Sequence, residues 1–117
     1  MKNFTRILIS GLAVAGGLGI GLPAWAEYGA IATSTAGEYG ISWAYTTRTA
    51  AAQAAVSACG ANCAPRAWFQ DSCGAIAKAG TRTAWGYAPK KEKAEGIALG
   101  QCGLNECKIV ASRCSNE

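Results

Sequence analysis

From Tyr28 onward the chain falls into short runs rich in aromatic, β-branched and small apolar residues, separated by glycine- and threonine-containing turns. Tyr28 to Thr33 and Tyr39 to Tyr45 are two such runs. The stretch Thr35-Ala36-Gly37-Glu38 between them favours a turn, so the pair predicts a β-hairpin. From Arg48 to Ala58 strong helix formers dominate, with Thr46 or Thr47 as N-cap and Gly60 where a left-handed C-cap belongs. Ala67 to Gln70 reads as a further strand, although Pro65 just before it cannot donate to a central ladder. The order then returns: Pro89 stands where N1 of a second helix is expected, Lys90 to Leu99 is helical by propensity, Gly103 closes it, and Lys108 to Ser112 is strand-like.

That recurrence extends to the residues themselves. Gly29-Ala30-Ile31-Ala32 reappears as Gly74-Ala75-Ile76-Ala77, and Trp43-Ala44-Tyr45 as Trp85-Gly86-Tyr87. Cys59 answers to Cys102, Cys63 to Cys107 and Cys73 to Cys114. Two tandem β-β-α-β copies follow, about 28–72 and 73–115. The predicted class is α+β: one compact domain over 27–117, two helices on a sheet, a pseudo-twofold relation between copies, and disulfide staples.

The six cysteines are spaced C-x3-C-x9-C and then C-x4-C-x6-C, as a duplication with three per copy would leave them. Six cysteines permit 15 pairings. Symmetry favours Cys59 with Cys63 and Cys102 with Cys107, each pinning a helix end, and Cys73 with Cys114 near the pseudo-twofold axis as the main staple. A four-cysteine zinc site built from the two short pairs is the competing reading, but it calls for a reducing compartment.

Compartment is set by the first 26 residues. Lys2 and Arg6 precede an uncharged apolar stretch from Ile7 to Leu22, and Pro23-Ala24-Trp25-Ala26 places small residues at the −3 and −1 positions of a cleavage site before Glu27. The stretch falls short of the roughly 20 residues a spanning helix needs, so a cleaved signal peptide is expected, with no stable membrane insertion afterwards. The mature protein is then periplasmic or secreted. Its net charge falls from the full chain's +4 to +2, too little to argue for nucleic acid as a partner. The mature part holds 21 alanines against nine Ile, Leu and Val residues. Core filling therefore falls to Trp43, Trp68, Trp85, Phe69 and the tyrosines.

The pattern resembles a family of small exported bacterial proteins, domain of unknown function 4189. The resemblance is carried by Tyr28-Gly29-Ala30-Ile31-Ala32, Tyr39-Gly40-Ile41-Ser42-Trp43, the alanine-rich helix into Ala58-Cys59-Gly60, Cys73-Gly74-Ala75-Ile76-Ala77, and Val110-Ala111-Ser112-Arg113-Cys114-Ser115. It implies the fold and export, and it assigns no activity.

Candidate chemistry is sparse. With no histidine, a Ser-His-Asp or Cys-His triad and any histidine metal site are excluded, and no cofactor motif is present. Glu38 and Asp71, the sole aspartate, are the one carboxylate pair that glycan hydrolysis could use; both fall at predicted turns, where carboxylates cap or solvate. Trp43 with Tyr45, and Trp85 with Tyr87, share a strand face by alternation and read first as core. Gly29, Gly40, Gly74 and Gly86 read as room for close packing. Lys90, Lys91 and Lys93 form the one basic cluster, interleaved with Glu92 and Glu95 as on a solvated helix face. The favoured reading is a non-enzymatic interaction module, such as an inhibitor, an immunity-type protein or an adhesive factor. Its macromolecular partner would be a protein, met near Glu38 and at Lys90, Lys91 and Lys93. A carboxylate-dependent envelope or glycan hydrolase is the alternative.

Overall fold

The computed structural model describes residues 27–117, so the signal peptide read in residues 1–26 lies outside the described residues. The chain runs β1 (Tyr28–Thr33), β2 (Tyr39–Tyr45), α1 (Arg48–Cys59), β3 (Ala64–Gln70), β4 (Cys73–Ala79), β5 (Arg82–Ala88), α2 (Lys91–Cys102) and β6 (Lys108–Cys114). These are two similar β-β-α-β units. Each forms its own three-stranded antiparallel sheet, ordered β2-β1-β3 and β5-β4-β6, with the first strand of the unit in the centre. The expected single sheet carrying both helices is thus replaced by two sheets, each with its own helix.

Local chemistry explains the elements. In the first hairpin turn, Ser34 Oγ accepts from the backbone N–H groups of Ala36 and Glu38 at 3.2 and 3.1 Å, closing the loop without a β-branched residue at positive φ. Thr47 caps α1 by accepting from Ala50 N–H at 3.1 Å. Gly103 ends α2 in the left-handed conformation, whereas Gly60 ends α1 at φ 130° with an extended ψ. Pro89 is not at N1: Lys90 is the N-cap and α2 begins at Lys91. Proline's fixed φ suits the two-residue link from β5 equally well.

Strand alternation divides the core into three layers. Ala30 and Ala32 of β1 face Ala51 and Ala55 of α1; Cys73, Ala75 and Ala77 of β4 face Ala94, Ala98 and Cys102 of α2. Such small side chains bring each helix backbone close to its sheet. A Cβ on Gly40 would lie 2.7 Å from Cys59 N, and one on Gly86 2.8 Å from Ala94 O, so both strand glycines make room for a helix. The opposite strand faces meet each other through Ile31, Phe69 and Ile76, flanked by Tyr39, Ile41, Trp85 and Val110.

Aromatics fill less of this interior than the composition suggests. Phe69 is fully buried, but Trp68 and Tyr87 are 42% and 55% exposed. Alanine suffices in the helix–sheet layers because the layers approach so closely. Tyr45 also leaves the face of Trp43: Ala44 takes φ 68° at a register irregularity, and Tyr45 packs with the α1 cluster. The repeat is likewise displaced in this strand. Ile31 pairs with Ile41 and Ile76 with Trp85, so Trp85 occupies the place of Ile41 and not that of Trp43.

All six cysteines are paired, as Cys59–Cys63, Cys73–Cys114 and Cys102–Cys107. The two short bonds tie helix ends to the next strand. Cys73 and Cys114, however, are not repeat equivalents. They are partners on β4 and β6 of one sheet, and the matching pair in the first unit is Tyr28 and Gln70. The long staple therefore crosses two strands of the second sheet and does not lie on an axis between units. Three disulfides in so small a fold point to an oxidising location outside the cytoplasm. No helix among the described residues is long and apolar enough to cross a membrane.

Candidate binding cleft between the sheets

The two sheets stack with β1 against β4 and β2 against β6. The twofold relation that maps β1 onto β4 and β2 onto β5 would make the β3/β5 side a copy of the β2/β6 side. The two sides differ. On the β2/β6 side Ala44 N–H donates to Ser115 O at 2.9 Å, and the Arg113 guanidinium lies 4.4 Å from the centre of the Trp43 ring. On the other side β3 and β5 splay apart and leave a cleft of about 480 Å³, lined by Arg66, Phe69, Gln70, Ser72, Trp85 and Tyr87 among others.

Phe69 forms the floor of this cleft. Its ring lies against both Gly29 and Gly74, the equivalent glycines of the two central strands; a Cβ on Gly74 would come within 2.5 Å of it. Trp85 and Tyr87 face the cleft from β5, and Arg66 stands at the β3 wall. The Arg66 guanidinium is held by Nε donating to Thr33 Oγ1 at 2.9 Å and Nη2 to Thr33 O at 3.2 Å. Pro65 is accommodated because β3 is an edge strand with a register shift opposite Ile31 and Ala32. Behind β3, Trp68 turns to the helix side, stacked under the Arg48 guanidinium at 4.1 Å and beside Tyr28 at 6.0 Å.

A second groove of about 540 Å³ runs along β5 on the α2 side, lined by Thr83, Gly86, Ile97 and Gln101, with Trp85 and Tyr87 bordering it as well. Two concave surfaces therefore share one strand. The strand alternation of Trp85 and Tyr87 was legible in the sequence; that their face borders an open cleft was not, because it depends on how two sheets meet.

The residues singled out from sequence are dispersed. Glu38 lies in the β1–β2 turn and Asp71 beyond the far end of the same sheet, so the carboxylate pair is split across the length of β1. Asp71 instead extends the β1–β3 pairing by one residue: its Oδ1 accepts from Glu27 N–H at 3.2 Å, and its own N–H donates to Glu27 O at 3.0 Å. Lys90, Lys91 and Lys93 sit at the start of α2, whereas Glu38 is in the β1–β2 turn. Lys91 is engaged, its Nζ 2.7 Å from a Glu117 carboxylate oxygen. That contact, with Arg113 contributing, holds the Glu117 carboxyl below its ordinary value of 4.5. Among the described residues no group of three or more potential metal ligands is found, and the cysteines a zinc site would use are joined in disulfides.

Comparison with known proteins agrees with the architecture. No curated protein matches the chain. The NMR structure of Rv1813c from Mycobacterium tuberculosis is similar, with a TM-score of 0.62 and 29% identity over 96% of this chain and 90% of that one. A family model described as a domain of unknown function, DUF4189, matches residues 28–114, from the first residue of β1 to the last of β6. With the whole two-unit fold covered by that match, the chain belongs to the DUF4189 family.

Proposed function

We propose that the protein is an exported, disulfide-stapled binding module of the periplasm or the extracellular space that engages a protein partner through the cleft between β3 and β5. The observation carrying this reading is the broken symmetry of the sandwich: one side is closed by main-chain and cation–π contacts, and the equivalent side is left open with Tyr87 55% exposed beside Trp85. Exposed aromatics in a concave site are the usual anchors of protein contacts, since they bury large area at little entropic cost. An inhibitor, an immunity-type protein or an adhesive factor would each use such a site. The scattered positions of Glu38 and Asp71 give a hydrolase no assembled acid–base pair.

The test is affinity capture by the mature protein from envelope and culture fractions, followed by titration of the purified partner. Tyr87→Ala is expected to weaken that binding by about tenfold or more, as for a central aromatic anchor. Hydrolysis of peptidoglycan or another glycan, abolished by Glu38→Gln or Asp71→Asn in a folded protein, would replace this reading with the carboxylate enzyme.

A further inference from the structure

Among the described residues four strands have a free edge, and they are not alike. β2 is kinked at Ala44, with φ 68°, and its end is already bonded to Ser115. β3 carries Pro65 and a register shift, and β6 is shifted between Ile76 and Ala77 and begins with Lys108. Those features are the ones that blunt sheet edges against further pairing. β5 has neither kink, proline nor register shift: it pairs with β4 through seven consecutive residues, Arg82 to Ala88, without irregularity, and its charge is confined to the first of them, Arg82, the five central residues being uncharged. The edge that remains regular is also the one flanked by both grooves.

We propose that β5 receives an extended, acidic peptide segment of the partner by strand addition, with alternate side chains of that segment entering the two flanking grooves. The proposal rests on the binding-module reading and names the chemistry of its partner. In an added strand, successive side chains point to opposite faces. Those on one face meet Trp85, Tyr87 and Arg66 in the cleft; those on the other meet Gly86, Ile97 and Gln101 beside α2. Main-chain bonds to β5 supply affinity, and the grooves supply specificity.

Charge selects the acidic class. No Asp or Glu lines either groove. Arg66 stands in the cleft, Arg82 opens β5, and Lys90 follows it, so the strand is bracketed by cations at both ends. Ion pairs among the described residues involve Lys91 and Arg113, each with Glu117, and leave Arg66, Arg82, Lys90 and Lys93 without a carboxylate partner. Asp71, the carboxylate nearest Arg66 in sequence, is committed to the Glu27 N–H, and Glu92 and Glu95 are interleaved with the lysines of α2. Both arginines are held in place, Arg66 by Thr33 and Arg82 by donation from Nε to the Cys102 carbonyl at 2.6 Å. Arg66 presents fixed positive charge at the wall of the cleft and Arg82 at the start of β5.

The test uses the mature, oxidised protein and an array of nine-residue peptides with aromatic or aliphatic centres, ending either in glutamates or in lysines. Glutamate-ended members are expected to bind about tenfold more tightly than lysine-ended ones, with the preference lost in Arg66→Glu/Arg82→Glu. Amide exchange should slow along β5. A peptide with the same side chains but alternate backbone nitrogens methylated should lose binding, a readout that needs no variant of the protein. Tyr87→Glu, at an exposed position that leaves the fold intact, should lower affinity by about tenfold as well. Equal binding of methylated and unmethylated peptides, or of both charge classes, overturns strand addition. Should no peptide bind while a captured partner still depends on Tyr87, strand addition fails and the binding-module reading stands; a captured partner indifferent to Tyr87 removes the cleft altogether. A doubled mass in light scattering that Tyr87→Glu abolishes would assign the edge to a second copy of this chain and overturn the peptide proposal.

Discussion

The two units share element order, sheet order and the Gly-Ala-Ile-Ala centre, yet at one pair of equivalent positions they diverge completely. Opposite Gly29 in the first unit stands Phe69; opposite Gly74 in the second stands Arg113. Phe69 turns inward and fills the space above both glycines, 1% exposed. Between the central strands there is room for one such ring, so the second unit cannot repeat it. Arg113 instead turns to the rim and lies over Trp43 of the first unit. A duplicated fold whose halves meet on a symmetry axis has to break symmetry where a side chain sits on that axis. Here the break also decides which side of the sandwich closes and which opens as the cleft.

Removing the inner member of that pair is the most severe way to challenge the comparison. Phe69→Ala should cost about 4 kcal/mol, because a large buried ring leaves a cavity that two glycines cannot collapse to fill. Arg113→Ala should cost less than about 1 kcal/mol, since an exposed cation–π contact is worth little more. Denaturant unfolding of both variants measures the contrast. Similar losses would mean that the two positions carry equal weight and that Phe69 is not the keystone of the interface.

The disulfides sharpen the same contrast. Each unit has one short bond at its helix end, but the bond joining β4 to β6 has no counterpart between β1 and β3. In the chain-entropy model a bond closing 41 residues of separation is worth roughly 4 kcal/mol and a bond closing four roughly 2. Replacing Cys73 and Cys114 by alanine should therefore destabilise the protein by about 2 kcal/mol more than replacing Cys59 and Cys63. Alanine avoids burying a new hydroxyl at Cys73, which is 3% exposed. Equal midpoint shifts would show that local strain at the helix ends, and not loop closure, governs their contribution.

How far this asymmetry can be read from sequence depends on its range. β1 and β2 have the limits expected from their aromatic and β-branched runs, and Thr47 and Gly103 end their helices as their chemistry dictates, because these signals act within a few residues. The glycines expected to make room do so, Gly29 and Gly74 for Phe69, Gly40 and Gly86 for the helices. What occupies that room, however, comes from a strand some 40 residues away from Gly29. β3 begins at Ala64, earlier than expected, because an edge position tolerates Pro65, and edge status is a tertiary property. The Cys73–Cys114 pair agrees with expectation although its basis differs: residue matching treated the two as equivalents, and strand register makes them neighbours. The cleft could not be seen at all from local pattern. It exists because two sheets meet closely along one side only.

The smallest expected effect concerns the end of β6, where the second unit has a tether that the first lacks. Glu117 accepts from Lys91 at the start of α2 and lies 3.4 Å from Arg113 Nη1. The hydrogen bond from Lys91 is the main cause of the lowered Glu117 pKa in the folded state, with Arg113 and the Cys114 backbone adding to it. A carboxyl whose pKa is lower folded than unfolded stabilises the fold above the unfolded value, and that stabilisation is lost as pH falls through the folded one. The contribution is therefore present above 4.5 and disappears as the pH drops below it. Solvent screening keeps it small, because the Lys91 side chain is 41% exposed. Lys91→Met should reduce this pH dependence while leaving stability at neutral pH nearly unchanged, and amide exchange at β6 should show it before global unfolding does. An identical acid profile for Lys91→Met and the parent would reject the tether.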